Sequence, residues 1–241
     1  MTHTCDFSPF AAQCGCRLER CSICEAGRSL HKCVNHKPRQ HDGATYYLHE
    51  LGGVVAGIPK HTLVAGEFQT ALQMMGVTLP LVQPATHRAL DIGAGIGHYG
   101  SWLLRLGYSY EALEPFDWAG KYIEGCLGGP VHRCGFDELE APDGSYQLIV
   151  AGHCLEHLPD ARVSLDKMLR LLDPQGWLLI LIPDDTDLGN PDHLWFFKER
   201  TLTMWLEERD CEVKSVVRSI VPWEKFMYFA ARRKAVEQQG V

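Results

Sequence analysis

One junction limits this chain more than any other feature. Leu90-Asp91-Ile92-Gly93-Ala94-Gly95-Ile96-Gly97-His98 leads from an apolar strand pattern into a helix through three glycines. Glycines at such a junction let the backbone turn sharply and lie against a ligand held at a helix N-terminus. Counted from Gly95, the segment also matches the G-x-G-x-x-G pattern of dinucleotide sites, through Gly97 and Gly100. That match is weak by itself.

The rhythm around the junction predicts the fold class. Strands are expected at Arg88–Ile92, Tyr110–Glu114, Pro130–Cys134, Tyr146–Ala151 and Trp177–Ile182. Helices are expected at His98–Leu106, Trp118–Cys126 and Arg162–Leu172, the last stopped by an Asp173-Pro174-Gln175-Gly176 turn. Such alternation implies a parallel sheet with helices on both faces. The tail departs from it: a helix over Glu199–Arg209, then strands Glu212–Ser219 and Phe226–Ala230 almost in contact. Strands that close in sequence cannot be parallel neighbours, so one runs antiparallel. The expected class is α/β, a Rossmann-like seven-stranded sheet, mostly parallel with one antiparallel strand and flanked by helices.

Three segments follow from composition. Residues 1–42 lack helical or strand periodicity and hold six of the ten cysteines: Cys5, Cys14, Cys16, Cys21, Cys24 and Cys33. Residues 43–85 carry a helix-like stretch, Glu67–Met75, with Phe68, Leu72 and Met75 on one face, and then a proline-marked linker. Residues 86–241 form the main domain. No secretion signal opens the chain and the longest apolar run, Trp177–Ile182, is far too short for a bilayer, so a cytoplasmic location without membrane contact is expected. In that setting a cysteine cluster reads as a metal site before a disulfide framework. Cys21-x-x-Cys24, eight residues, then Cys33-x-x-His36 is the most metal-like spacing, and a Cys₃His set suits a structural Zn²⁺. Cys5, Cys14, Cys16, His31 or His41 could replace a member or complete a second site; an iron–sulfur cluster and free thiols are the competing readings. A region with so little apolar core needs such a staple to form a small N-terminal zinc-binding module.

Asp91 discriminates between cofactors. A pyrophosphate over the glycine loop would meet this carboxylate at an electrostatic cost, whereas a ligand ammonium would gain from it. S-adenosylmethionine carries that ammonium and no phosphate. Glu114, 23 residues further on, can accept both ribose hydroxyls of either cofactor and so does not decide the matter.

These residues carry a resemblance. Leu90–Gly97 resembles the first motif of class I S-adenosylmethionine-dependent methyltransferases, and Leu113-Glu114-Pro115 the acidic end of their second strand. Ala141–Val150 is similar to their fourth strand and the turn before it. Cys154-Leu155-Glu156-His157-Leu158-Pro159-Asp160 is similar to the signature of the ubiquinone-biosynthesis-like branch, and Leu169–Pro183 to its fifth strand. Gln147 and Gln175 depart from the branch, which usually has Asp and Gly there. The resemblance covers roughly 150 residues. It implies that Asp91, Gly93 and Gly95 hold the methionine end of the cofactor and Glu114 its ribose. It also implies that Phe136 or Asp137 flanks the adenine.

Methyl transfer to oxygen or nitrogen needs a base, and histidines at the C-terminal ends of the strands are the candidates. His193, beside Trp195 and Phe196 in a segment that lines the acceptor pocket of similar enzymes, is one. His153, after the fourth strand, is the other; His157 is expected to pack or cap. Asp184 and Asp185 read as a solvated turn before a cation site.

The segment around His193, Trp195 and Phe196 resembles that of enzymes of glycan and natural-product modification, a resemblance that implies a small-molecule or saccharide-type acceptor. The chain carries a net charge of −7 at pH 7, and residues 43–241 carry −9 of formal charge, which disfavours a nucleic-acid surface. The rival readings are a methyltransferase of RNA, DNA or protein recruited by the zinc module, a nucleotide-binding oxidoreductase, and a non-catalytic zinc-organised scaffold.

Overall fold

The computed structural model describes residues 7–11, 17–24, 26–29, 54–55, 58–84, 86–184, 192–221 and 224–235. Its centre is a seven-stranded sheet built from β6 (Arg88–Ile92), β7 (Ser109–Leu113), β8 (Val131–His132), β9 (Tyr146–Gly152), β10 (Leu172–Pro183), β12 (Cys211–Val221) and β13 (Glu224–Arg233). Their order is β12-β13-β10-β9-β6-β7-β8. β13 pairs antiparallel with both neighbours, while β8, β7, β6, β9 and β10 run parallel. The Rossmann-like arrangement expected from sequence is present. β12 and β13 form the tail hairpin, and its short connection forces the single reversed strand.

Helices α2 (Gly100–Leu106), α3 (Asp117–Cys126), α4 (Ala161–Leu171) and α5 (Glu199–Glu207) lie where the 3.6-residue pattern placed them, within two residues at most ends. Asp160 caps α4, its carboxylate accepting from the backbone N–H groups of Arg162 and Val163. The sheet's two faces bury separate apolar clusters. One holds Leu90, Ile149, Leu165 and Trp205; the other holds Phe68, Trp102, Leu148 and Tyr228. Successive residues of a strand face opposite sides, so Leu148 and Ile149 fall in different clusters.

Four differences from the expected pattern have physical causes in the fold. Helix α1 (Lys60–Met74) begins seven residues before the expected stretch. Phe68 on α1 is fully buried against Tyr99, Trp102 and Tyr228, with ring centroids 5.6, 6.0 and 5.5 Å away. The helix thus shares a core with the sheet.

The turn at 173–176 is absorbed within β10, whose register against β9 shifts between Leu172 and Trp177. Asp173 Oδ1 there accepts from Gln175 N at 2.8 Å, the side-chain turn that an Asp-Pro sequence favours. Gln147, the departure at the start of the fourth strand, accepts from Arg88 N at 2.8 Å and so ties β9 to the first residue of β6.

The fourth difference is in the N-terminal region, where periodicity is absent yet strands form. β1 (Phe7–Ala11), β2 (Arg17–Cys21) and β3 (Gly27–Ser29) pair antiparallel, and β3 continues onto β11 (Trp195–Phe196). Their registry comes from a tight turn at Cys21–Cys24, closed by Cys21 N donating to Ala26 O at 2.8 Å, and from a partner strand remote in sequence. A separate two-stranded piece joins β4 (Val54–Val55) and β5 (Ile58–Pro59). Among the described residues no helix is long and apolar enough to cross a membrane.

Candidate active site

β6 delivers the glycine loop to the C-terminal edge of the sheet, where open α/β sheets bind ligands. Gly93, Gly95 and Gly97 have φ of 69°, 58° and 77°, left-handed conformations that side chains other than glycine rarely adopt. At Gly93 the constraint is also spatial, because a Cβ would sit 3.1 Å from Cβ and Sγ of Cys154. The loop is thereby pressed against the segment that follows β9.

Two carboxylates flank this loop. Asp91 is 1% exposed; its Oδ2 accepts from the Tyr110 hydroxyl at 3.2 Å, while buried Oδ1 has no hydrogen-bond partner among the described residues. Burial pushes the Asp91 carboxyl up to about 7, opposed by the Tyr110 hydrogen bond and reinforced by the charge of Glu114. A buried oxygen without a donor costs free energy until a ligand supplies one. Glu114 is equally buried, but both its oxygens are engaged, Oε2 by Gly95 N at 2.7 Å and Oε1 by Phe116 N at 3.0 Å. Each oxygen keeps a second lone pair for a ligand hydroxyl, in an orientation that the backbone fixes.

The two adenine-side candidates separate. Phe136 is buried in the core with the Lys167 ammonium 5.2 Å from its ring centroid, whereas Asp137 is exposed. Packing accounts for the burial of Phe136.

The histidines converge where β9 ends. His153 has φ of 52°, one of two non-glycine residues with positive φ among those described, and its N–H donates to Leu181 O at 2.7 Å. Such a conformation in a β-edge histidine is a strain that active sites tolerate. Its ring is 45% exposed, and Nδ1 lies 3.6 Å from Oε1 of Glu156. That is ion-pair distance, too long for a hydrogen bond, so neither Glu156 oxygen has a hydrogen-bond donor among the described residues although the residue is 1% exposed. Burial alone would raise the Glu156 carboxyl, but His153 and His157 outweigh it and hold the group below its usual range.

His193 is 6% exposed, its ring centroid 4.9 Å from that of His157. Burial, aided by the neighbouring imidazoles, lowers it to about 4, against the opposing pull of Glu156 and Asp192. At neutral pH it is uncharged.

Sequence reasoning singled out His153, His157 and His193 but missed Glu156 and Tyr99. The signal for Glu156 was its place between Leu155 and His157 in the Cys154–Asp160 signature, which forms a short 3₁₀ helix with Glu156 buried. Tyr99 is 6% exposed and packs on the end of β9, where a Cβ on Gly152 would come within 2.4 Å of its ring. Nothing local in the sequence marks that contact.

Of the four expected zinc ligands, Cys21 and Cys24 are fully buried at the β2–β3 turn. Cys24 Sγ accepts from the Trp205 indole N–H at 3.3 Å, and its carbonyl accepts from the Thr201 hydroxyl at 2.7 Å. Both cysteines belong to the apolar cluster that also holds Trp195 and Trp205. Cys33 and His36 lie outside the described residues, as do Cys5, Cys14, Cys16, His31, His41 and Asp185.

Comparison with known proteins bears on this site. A family model described as a methyltransferase domain matches residues 67–216, a span that contains both carboxylates and all three histidines. An uncharacterized methyltransferase from Mycobacterium sp. (strain KMS) is 30% identical over 96 residues, 39% of this chain and 37% of that protein. The match therefore spans well under half of that curated relative. An S-adenosylmethionine-dependent methyltransferase from Leishmania major superposes with a TM-score of 0.59 at 20% identity, over 78% of this chain and 81% of that one. The 1,6-didemethyltoxoflavin-N1-methyltransferase of Burkholderia thailandensis, solved with S-adenosylhomocysteine, gives 0.56 at 16% identity over 87% and 96%. At these identities the solved structures establish the shared fold.

Proposed function

The chain belongs to the methyltransferase-domain family, and from that premise we propose that it transfers the methyl group of S-adenosylmethionine to oxygen or nitrogen of a small-molecule or saccharide-type acceptor. The observation that carries the reading is the pair of buried carboxylates at the glycine loop. Asp91 offers an unpartnered oxygen to the cofactor's ammonium, and Glu114 offers a fixed carboxylate to its ribose diol. A diphosphate would place negative charge beside both. Asp91, Gly93 and Gly95 hold the methionine end in this reading, and Asp137 is the better placed of the two adenine-side residues.

The reaction is an in-line displacement. An acceptor lone pair forms the new bond to the methyl carbon while the carbon–sulfur bond breaks toward sulfur, leaving a neutral thioether. Orientation supplies much of the rate. The acceptor's proton goes to His153, which is accessible and lies at ion-pair distance from buried Glu156, whose negative charge favours the protonated imidazole. His193, buried and weakly basic, suits this role less well. The Burkholderia relative's name, that of an N-methyltransferase of a small ring compound, supports the small-acceptor reading.

Isothermal calorimetry tests the cofactor. S-adenosylmethionine and S-adenosylhomocysteine bind, and NAD and NADP bind less tightly or not at all; a dinucleotide binding more tightly than either overturns the proposal. Asp91→Ala and Glu114→Ala each weaken binding by about 1.5–3 kcal/mol, the worth of a hydrogen bond to a charged group. Two variants that bind like wild type would displace the cofactor from this loop.

Because Asp91 titrates near 7, the carboxylate that meets the ammonium is depleted in acid. Affinity at pH 6 is about tenfold below its plateau, and Asp91→Asn abolishes that dependence. The same shift acts on folding with the opposite sign. Between 3.8 and about 7 the native carboxyl keeps a proton that the unfolded chain has lost, so this group makes stability fall as pH rises through that window. A pH-independent affinity would place the ammonium elsewhere.

The N-terminal thiols belong to the proposal as well. Cys21, Cys24, Cys33 and His36 are the proposed ligands of one structural Zn²⁺, which would brace the β2–β3 turn and, through it, β11. Purified protein then contains at least one zinc per chain by elemental analysis, and Cys24→Ser lowers that number. Iron in its place, or no metal, refutes the assignment.

A further inference from the structure

We propose that Glu156, His157 and His193 form a second metal site, for a divalent first-row transition ion, on the acceptor side of the cofactor loop. One ligand atom from each residue lies within 4.8 Å of the other two, the spacing that a single ion can bridge. Three further observations carry the assignment.

Glu156 is the first. Its carboxylate is buried, the His153 ring lies 3.6 Å away, and neither oxygen has a hydrogen-bond donor among the described residues. Buried charge of that kind is retained where something pairs with it, and a cation is the partner that needs no hydrogen. His157 is the second. Its Nδ1 lies 2.9 Å from the carbonyl oxygen of Asp192, and because a carbonyl can only accept, Nδ1 carries the proton. Nε2 is therefore left with a bare lone pair. A ring held through Nδ1–H by a backbone carbonyl, with Nε2 free, is the arrangement that metal-binding histidines adopt.

The third is rigidity. The ligands come from two segments remote in sequence, and these are clipped together on either side of the cluster. Leu194 N donates to the Glu156 carbonyl at 2.8 Å, and the Trp195 indole N–H donates to Leu158 O at 3.0 Å. Ligands fixed before the ion arrives lose little freedom when it binds.

The donor set selects the ion. Two imidazoles and one carboxylate suit iron, cobalt, nickel or zinc, whereas magnesium and calcium demand mostly oxygen. Three protein ligands leave positions open, as in catalytic rather than structural sites. Exposed His157 gives the ion a way in, and the open positions would receive an acceptor oxygen and ease loss of its proton. The inference thus deepens the methyltransferase reading, but its test does not depend on methyl transfer.

The test is titration of the full-length protein with Co²⁺, followed by absorption spectroscopy. Thiolate-bound cobalt at the N-terminal cysteines gives intense sulfur-to-cobalt charge transfer; a histidine–carboxylate site gives only ligand-field bands. Wild type is expected to take up one more Co²⁺ per chain than Glu156→Gln or His157→Gln, and the bands lost in the variants are the ligand-field ones. Each variant weakens cobalt binding at this site by roughly 100-fold, the upper end of what losing even an orienting partner costs a metal site. His157 is exposed, so His157→Gln reports on the site even if Glu156→Gln fails to fold. Cobalt bound by thiolates alone, or equal uptake with identical spectra in wild type and His157→Gln, overturns the proposal. S-adenosylhomocysteine binding measured on the same samples tests the cofactor reading independently.

Discussion

His153→Ala lowers methyl transfer by roughly 10²–10⁴-fold, the range for loss of a positioned general base, while S-adenosylhomocysteine affinity stays within about twofold of wild type. The expectation rests on three facts. His153 stands at the C-terminal end of β9, its backbone is held at φ 52°, and its ring faces buried Glu156 at 3.6 Å. No other histidine of the cluster combines access with a carboxylate behind it. His157 is committed through Nδ1 to a carbonyl, and His193 is buried and weakly basic. Turnover is read as methyl incorporated from S-adenosylmethionine into an accepted member of a small-molecule and saccharide panel, and added imidazole partly restores it in the alanine variant. An unchanged rate would remove His153 from the chemistry. A parallel loss of cofactor affinity would make it a binding residue instead.

Trp205→Ala destabilises the fold by about 3–5 kcal/mol, measured as the shift of a urea unfolding midpoint at unchanged slope. Trp205 is fully buried on α5, with Trp195 and Phe197 packed edge-on at 5.9 and 5.8 Å and the Arg162 guanidinium 4.9 Å from its ring centroid. Its indole N–H donates to Cys24 Sγ. The residue therefore joins three segments, the N-terminal turn, β11 with Phe197 just after it, and α5. Trp205→Phe, which keeps most of the volume and removes the N–H donated to Cys24, costs less than the alanine variant. A loss below about 1 kcal/mol for the alanine variant would contradict the packing described.

The two results bear on how much of the molecule its sequence determines. Periodicity located the strands and helices from Arg88 onward because each buries one face, and a buried face imposes its own repeat on the residues. The glycine loop and its two carboxylates were legible for a related reason. Left-handed φ at Gly93, Gly95 and Gly97 restricts the residue type, and a carboxylate at the end of a strand can only be accommodated near a ligand or a donor. The reversed strand followed from the shortness of one connection.

What escaped the sequence was set by contacts between remote segments. No periodicity marks β1–β3, and the outer partner of β3, β11, lies more than 160 residues away. Helix α1 shares the sheet's core because Phe68 finds aromatic neighbours there. The histidine cluster shows the same division. Sequence named His153 and His193 one by one as candidates, because imidazoles near strand ends suit proton transfer, and expected His157 to pack or cap. Only the tertiary structure brings His193 across from the segment before β11 to lie against Glu156 and His157, leaving His153 open and His193 enclosed. Residue type fixes what a side chain can do; burial and neighbours contributed by distant parts of the chain decide which of its chemistries remains available.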